Sequence, residues 1–312
     1  MLRLRPLSFS PLAIGLVLLA GIALPSRAEA SAGGIGDLFV TSDASNLTRA
    51  YTGTTGNYLG VFAPAVLGNG LLGIHFGATN DRVLVGSFGN GVDEYDANTG
   101  AYIKTYNPGG GWQWGALYGP NGNVLIGDMM TNDVREYDST TGALVGMFTP
   151  VAAPSDMRIG PNGNLYICSF GGGFVLEVNA TNGNFVSTWS LPPLGQPNDI
   201  EFLPNGEILV TSMRTNVVYR YDAAHNLLGS FGDPNWGNPH GIVLSPWTGN
   251  ILVADGVTGQ VAEFDPTTFA LLNANFLVPP PGDKIVDVQF KPSAGTVSVQ
   301  PMEWGTVKQL FR

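Results

Sequence analysis

The chain has 312 residues and a formal net charge of −10, with 44% hydrophobic residues, only 12% charged residues and 43 glycines. The apolar fraction excludes a disordered chain, and the acidic balance excludes nucleic acid and anionic membrane surfaces as charge-driven partners. Few charges with abundant Gly, Asn, Thr and Pro is the composition of many short strands joined by turns.

Arg3 and Arg5 precede an unbroken apolar run at 12–24, LAIGLVLLAGIAL, and Ala28-Glu29-Ala30 meets the small-residue cleavage rule. Residues 1–30 therefore read as a secretory signal peptide, with residues 31–312 as the mature chain, secreted or periplasmic. The run is short for a bilayer span of roughly 20 residues, and no later stretch is long enough, so no membrane association is expected after cleavage. Without residues 1–30, 11 basic and 23 acidic residues remain, a net charge of −12. Cys168, the sole cysteine, lies in the apolar run LYICSF and is expected to be an inert core thiol.

From residue 45 one phrase recurs: SNLTRAYTGTTGNYLGVF (45–62), GNGVDEYDANTGAYIKTY (89–106), TNDVREYDSTTGALVGMF (131–148), GGFVLEVNATNGNFVSTW (172–189), TNVVYRYDAAHNLLGSF (215–231) and TGQVAEFDPTTFALLNANF (258–276). Each copy reads as two strands around a turn. A β-rich strand precedes it, as in VLVGS (83–87), VLIGD (124–128) or ILVAD (251–255), and before that an apolar strand ends in a Pro or Gly turn, as in NDIEFLPNG (198–206). Branched and aromatic residues alternating between turn residues predict antiparallel hairpins, and no stretch of the mature chain reads as helix. The second strand recurs at Leu38, Val83, Val124, Leu165, Ile208, Ile251 and Thr296. A spacing of roughly 40–45 residues is the period of a four-stranded propeller blade.

The expectation is thus an all-β fold, a single β-propeller domain over 31–312 built from four-stranded antiparallel blades. Seven blades are expected from the seven copies, and six are the alternative. The first copy lacks a first strand and the last lacks a fourth, which fits either ring closure across the termini or two short blades. The column Tyr51, Tyr95, Tyr137, Val178, Tyr221, Phe264 is expected to pack between blades, and the following Asp96, Asp138, Asp222 and Asp265 to start tight turns.

The segments QPNDIEFLPNGEILVTSMRTNVVYRYD (196–222) and NPHGIVLSPWTGNILVADG (238–256) resemble secreted NHL-repeat and YVTN-type propellers. They are also similar in blade pattern to the gluconolactonase (SMP-30)-like and virginiamycin B lyase-like groups. The resemblance covers most of residues 36–312. It is specific for the fold and weak for the chemistry, since propellers of very different function share it.

Propeller ligands usually sit at one mouth of the central channel. The first strands start there at Leu72, Trp114, Ser155, Asn198, His240 and Val286, followed by Gly73, Gly115, Asp156, Asp199, Gly241 and Asp287. The second strands end there at Ser42, Ser87, Asp128, Ser169, Ser212, Asp255 and Gln300, small polar residues that read first as hairpin closures. One side of the mouth should be acidic and polar, the other apolar and aromatic. An oxygen-rich cluster of this kind suits Ca²⁺ or Mg²⁺.

Gluconolactonase-like enzymes hold a divalent cation with a Glu, two Asn and an Asp. The resemblance carries one Asn onto Asn198 and brings Asp287 near the family Asp. His240 stands in place of the second Asn, and the Glu has no match. Virginiamycin B lyase-like enzymes carry PHGI with a catalytic His and bound Mg²⁺. Here the phrase occurs once, at His240, without their further His and Glu partners. Only three His occur, which speaks against a multi-His metal site. His225 reads as a turn residue, and His75 as satisfied within a blade. GGGW (109–112) and GGG (171–173) are turns, because no helix follows to cradle phosphate.

Two functions follow. The first is a monomeric, non-catalytic scaffold that binds a protein or small ligand through Trp114, Asp156, Asn198, Asp199, His240 and Asp255. The alternative is a lactonase-type hydrolase or lyase dependent on a divalent cation, with metal ligands Asn198 and Asp287 and His240 as the catalytic group.

Overall fold

The computed structural model describes residues 33–64, 69–77, 79, 81–107, 111–193 and 195–292. The proposed signal peptide and the seventh second-strand copy at Thr296 lie outside these residues, as does Gln300. All the regular structure described is strand.

Alternating apolar positions between Gly, Asn and Asp turns fold into consecutive hairpins. The first blade takes β1 (Leu38–Ser42), β2 (Leu47–Tyr51) and β3 (Tyr58–Pro64). The second holds β4 (Asn69–Phe76), β5 (Arg82–Phe88), β6 (Val92–Asp96) and β7 (Tyr102–Tyr106), and the third β8 (Gln113–Tyr118), β9 (Val124–Asp128), β10 (Asp133–Tyr137) and β11 (Leu144–Pro150). The fourth holds β12 (Pro154–Ile159), β13 (Asn164–Ser169), β14 (Phe174–Asn179) and β15 (Phe185–Ser190), and the fifth β16 (Pro197–Phe202), β17 (Ile208–Ser212), β18 (Val217–Tyr221) and β19 (Leu227–Phe231). The sixth holds β20 (Pro239–Leu244), β21 (Ile251–Asp255), β22 (Gln260–Phe264) and β23 (Leu271–Leu277), and β24 (Ile285–Phe290) follows.

β24 returns to the first blade, where it forms the innermost strand in the order β24-β1-β2-β3, with Leu38 opposite Phe290 and Thr41 opposite Asp287. The ring therefore has six blades and not seven. The strand missing from the first copy of the repeat is supplied by the last copy, and β1 fills the second-strand place that Thr296 would have started. Three contacts reinforce this closure. Arg49 of β2 forms an ion pair with Asp283 just before β24. The Lys291 ammonium donates to the Ala97 carbonyl and to Asn98 Oδ1, both at 2.8 Å. Trp247 Nε1 of the sixth blade donates to the Gly36 carbonyl at 2.9 Å.

Apolar side chains form six clusters, one at each blade–blade boundary. This arrangement explains the repeated phrase, because each blade buries both faces and needs the same apolar positions. The column Tyr51, Tyr95, Tyr137, Val178, Tyr221, Phe264 is buried throughout. Tyr137 packs edge-on against Tyr106 of the neighbouring blade, with ring centroids 6.1 Å apart. The Asp column turns the chain as expected. Asp138 Oδ1 accepts from the Thr140 and Thr141 amides at 3.0 and 2.7 Å, and Asp265 Oδ1 from Thr267 and Thr268 at 2.9 and 2.7 Å. Cys168 is buried at the boundary of the fourth and fifth blades, where burial raises its thiol pKa.

Tyr137→Ala empties a boundary between two blades, so thermal or urea unfolding should show a loss of about 3–5 kcal/mol. An unchanged unfolding midpoint would contradict packing as the reason for the repeated phrase.

Candidate functional site

Every innermost strand carries a register shift at its channel-mouth end, between Leu71 and Ile74, Gln113 and Ala116, Pro154 and Met157, Pro197 and Ile200, and Pro239 and Ile242, and β24 has its shift opposite Thr41 and Ser42. Such bulges re-aim side chains. Here they turn two successive residues per blade toward the channel, the first-strand starts and the Gly or Asp after each.

In the upper layer Trp114, from the third blade, stacks on His240 from the opposite sixth blade at 5.3 Å and 29°, and on Phe170 at 6.2 Å. The stack crosses the ring and closes the mouth, leaving Trp114 5% and His240 4% exposed. Asn198 is 1% exposed, and neither its Oδ1 nor His240 Nδ1 has a hydrogen-bond partner among the described residues. Burial lowers the His240 pKa to about 4, against the opposing pull of Asp255, so the ring is neutral. Aromatic surface continues outward, with Phe88 edge-on to Trp112 at 5.3 Å. Trp112 is 46% exposed, and Met130 on the same blade is 64% exposed.

The lower layer runs Asp287, Gly73, Gly115, Asp156, Asp199, Gly241 around the ring. One oxygen from each of Asp156, Asp199 and Asp287 lies within 4.8 Å of the others, and all three residues are buried. The carboxylates also brace the blades. Asp287 accepts from Ile74 N of the second blade and Asp199 from Ile242 N of the sixth, both at 2.8 Å. The glycines make room for them, since a Cβ on Gly241 would stand 2.2 Å from Asp287 Oδ1 and one on Gly115 2.9 Å from Asp156 Oδ1. Burial, and then the charges of Asp199 and Asp287, raise the Asp156 pKa well above the usual carboxylate range. Burial and the Asp199 charge do the same to Asp287. Asp199 is raised by burial, with Arg158 opposing.

Next along the channel, Arg158 donates to Glu201 Oε2 at 3.1 Å and to the Ile242 carbonyl at 3.2 Å, and lies 3.6 Å from Asp199 Oδ2. His75 was expected to be satisfied within its blade. Instead its Nδ1 is a buried atom without a hydrogen-bond partner among the described residues, 3.9 Å from Asp156 Oδ1 across the channel. Burial, with Arg158 nearby, lowers its pKa to about 3.

The structure thus joins Asp156 and Asp199 with Asp287, and Trp114 with His240. Asp255 lies on the strand beside His240 but is held in its turn, where its oxygens accept from the Gly237, Asn238, Val257 and Thr258 amides. Arg158 and Glu201 were absent from the sequence-derived set. Each lies two residues beyond a channel-facing Asp, so strand alternation alone would have placed it on the same face.

No family model matches the chain, and no curated protein matches it. Solved structures do. A chain of a nidogen–laminin complex aligns with a TM-score of 0.68 at 12% identity, over 81% of this chain and 97% of that one. The WD40 propeller of Doa1 aligns at 0.60 and 13% identity, over 83% and 84%. Virginiamycin B lyase from Staphylococcus aureus aligns at 0.60 and 14% identity, over 80% and 84%. The likeness is one of fold. The chain is a β-propeller. Its neighbours include a lyase and a chain from a protein complex, so the fold does not choose between the two functions.

The sealed mouth has a pH signature. A His whose folded pKa lies below its ordinary value contributes stability that is complete above about pH 6.5 and is lost as pH falls through the folded pKa. NMR of the His240 ring should show a neutral imidazole with its midpoint near 4. A midpoint at the ordinary value of about 6.5 would contradict burial under Trp114.

Proposed function

We propose that the chain is an exported, non-catalytic binding propeller that receives a protein segment on the aromatic side of its mouth. The observation carrying this reading is the Trp114–His240 stack. A general base or metal ligand must reach its substrate. His240 is held out of solvent beneath an indole, and Asp255, the carboxylate of the neighbouring strand, is engaged by four backbone amides. The exposed surface beside the stack is apolar, with Trp112 and Met130 above a packed base of Phe88, Trp114 and Phe170. Aromatic anchors of this kind dominate protein interfaces. The nidogen–laminin neighbour comes from a complex between proteins, in keeping with this use of the fold. The net negative charge of the mature chain argues for a neutral or basic partner and against nucleic acid.

The test pairs two assays on the mature protein. Partners captured from the producing cell's exported proteins should be identified and their affinity measured by calorimetry. Trp112→Ala should weaken binding by roughly 30-fold, the effect of truncating an interface hot spot of about 2 kcal/mol. Lactones and cyclic depsipeptides should not turn over. Chelator-sensitive turnover that disappears in His240→Ala would replace this reading with the hydrolase or lyase.

A further inference from the structure

We infer that Asp156, Asp199 and Asp287 form a buried calcium site at the centre of the ring, with Asn198 Oδ1 as a neutral oxygen ligand. Three blades supply the carboxylates, and the site lies beneath the Trp114–His240 stack. It is therefore a structural pin and not a cation exposed for catalysis.

The spacing fits calcium. Oxygen atoms within 4.8 Å of one another can share an ion at about 2.3–2.6 Å from each. Mg²⁺ demands near-ideal octahedral geometry and dehydrates reluctantly, so it suits an all-protein cage less well than Ca²⁺ does. The donor set is all oxygen, as calcium requires.

The charge balance points the same way. Asp156, Asp199, Asp287 and Glu201 bring four carboxylates into the channel, and Arg158 is the cation beside them. Its guanidinium bonds Glu201 and lies 3.6 Å from Asp199 Oδ2. The same guanidinium charge also acts on Asp156 and Asp287, but one positive charge does not balance four carboxylates, and a divalent ion supplies the missing charge.

Buried atoms without partners supply an independent observation. Asn198 sits in the bulge directly before Asp199, at the position whose Trp114 and His240 counterparts meet across the channel. It is 1% exposed, and its Oδ1 has no partner among the described residues. A buried amide oxygen left unbonded is costly, and coordination would satisfy it. From below, His75 Nδ1 faces Asp156 and also lacks a partner. Ca²⁺ takes six to eight ligands and completes its shell with water. An ion-bound water donating to the neutral imidazole would satisfy this nitrogen as well.

The brace role of the same carboxylates is compatible with this site. An Asp oxygen that accepts one amide hydrogen keeps a second lone pair. Among the described residues the Asp156 carboxylate receives only the amide of Met157, at 2.7 Å on Oδ1.

The mature chain, stripped with chelator and dialysed, should be titrated with Ca²⁺ at neutral pH by calorimetry and thermal melting, with Mg²⁺ and Na⁺ in parallel. One Ca²⁺ per chain should bind, and the melting temperature should climb with its concentration, as for any ligand specific to the native state. Asp156→Asn and Asp287→Asn should each weaken binding at least roughly tenfold, because affinity follows ligand charge. Both replacements keep the side-chain shape and relieve like-charge repulsion, and circular dichroism checks that they fold. Trp112→Ala should bind Ca²⁺ as the parent does, which separates this site from the mouth. No heat and no melting shift at about 10 mM Ca²⁺, above the range of weak extracellular sites, would overturn the proposal. Binding retained in both Asn variants would also overturn it, as would a preference for Mg²⁺. Should neither variant fold, the titration of the parent protein decides.

Discussion

The structure depends on one constraint: a blade has two apolar faces and no core of its own. Burial is complete only when each sheet lies between two others, so the stabilising apolar surface is divided among six boundaries. A linear row of blades would leave two such faces in water, and closing the ring removes both. The pairing of β24 with β1 does this with main-chain hydrogen bonds, and Arg49–Asp283, Lys291 and Trp247 fasten the same seam. Of the first blade's four strands, one comes from the far end of the described chain, so no blade order short of the full circle is satisfied.

Ring closure has a consequence at the centre. Six innermost strands converge on a narrow channel, and their bulges turn side chains into it at the same height. Large residues on all six would collide, and the layer resolves this with three Asp and three Gly. The Asp carboxylates reach to backbone amides of adjacent blades where a glycine leaves room, which converts crowding into bracing. The same geometry gathers negative charge in a place of low dielectric. Carboxylates there are held protonated or are balanced by a cation. Closure of the mouth by Trp114 and His240 completes the seal and moves the available binding surface outward to Trp112 and Met130.

Much of this was legible in the sequence. The blade, its turns and the buried Tyr column repeat at short range, where periodicity and turn chemistry act within one copy. The Asp156–Asp199–Asp287 cluster was visible as a polar side of the mouth, because counting from each Pro turn places equivalent residues at equivalent heights. The number of blades was not legible, because which end completes which blade depends on pairing between residues some 250 apart, such as Leu38 with Phe290. Contacts across the ring escaped for the same reason. Trp114 and His240 lie on opposite blades, and nothing in either copy records that they meet. His75 likewise finds Asp156 rather than a partner in its own blade, and Arg158 of the fourth blade finds Glu201 on the fifth and the Ile242 carbonyl on the sixth.

The central claim is that the ring is pinned at its axis and sealed above it. A crystal structure of the mature chain grown with Ca²⁺, with the ion located by its anomalous scattering, tests this most directly. The account predicts one anomalous peak on the channel axis, within about 2.3–2.6 Å of an oxygen from each of Asp156, Asp199 and Asp287, beneath an intact Trp114–His240 stack. An open mouth with the ion held instead at the rim beside a solvent-exposed His240, or a channel with no peak, would contradict it.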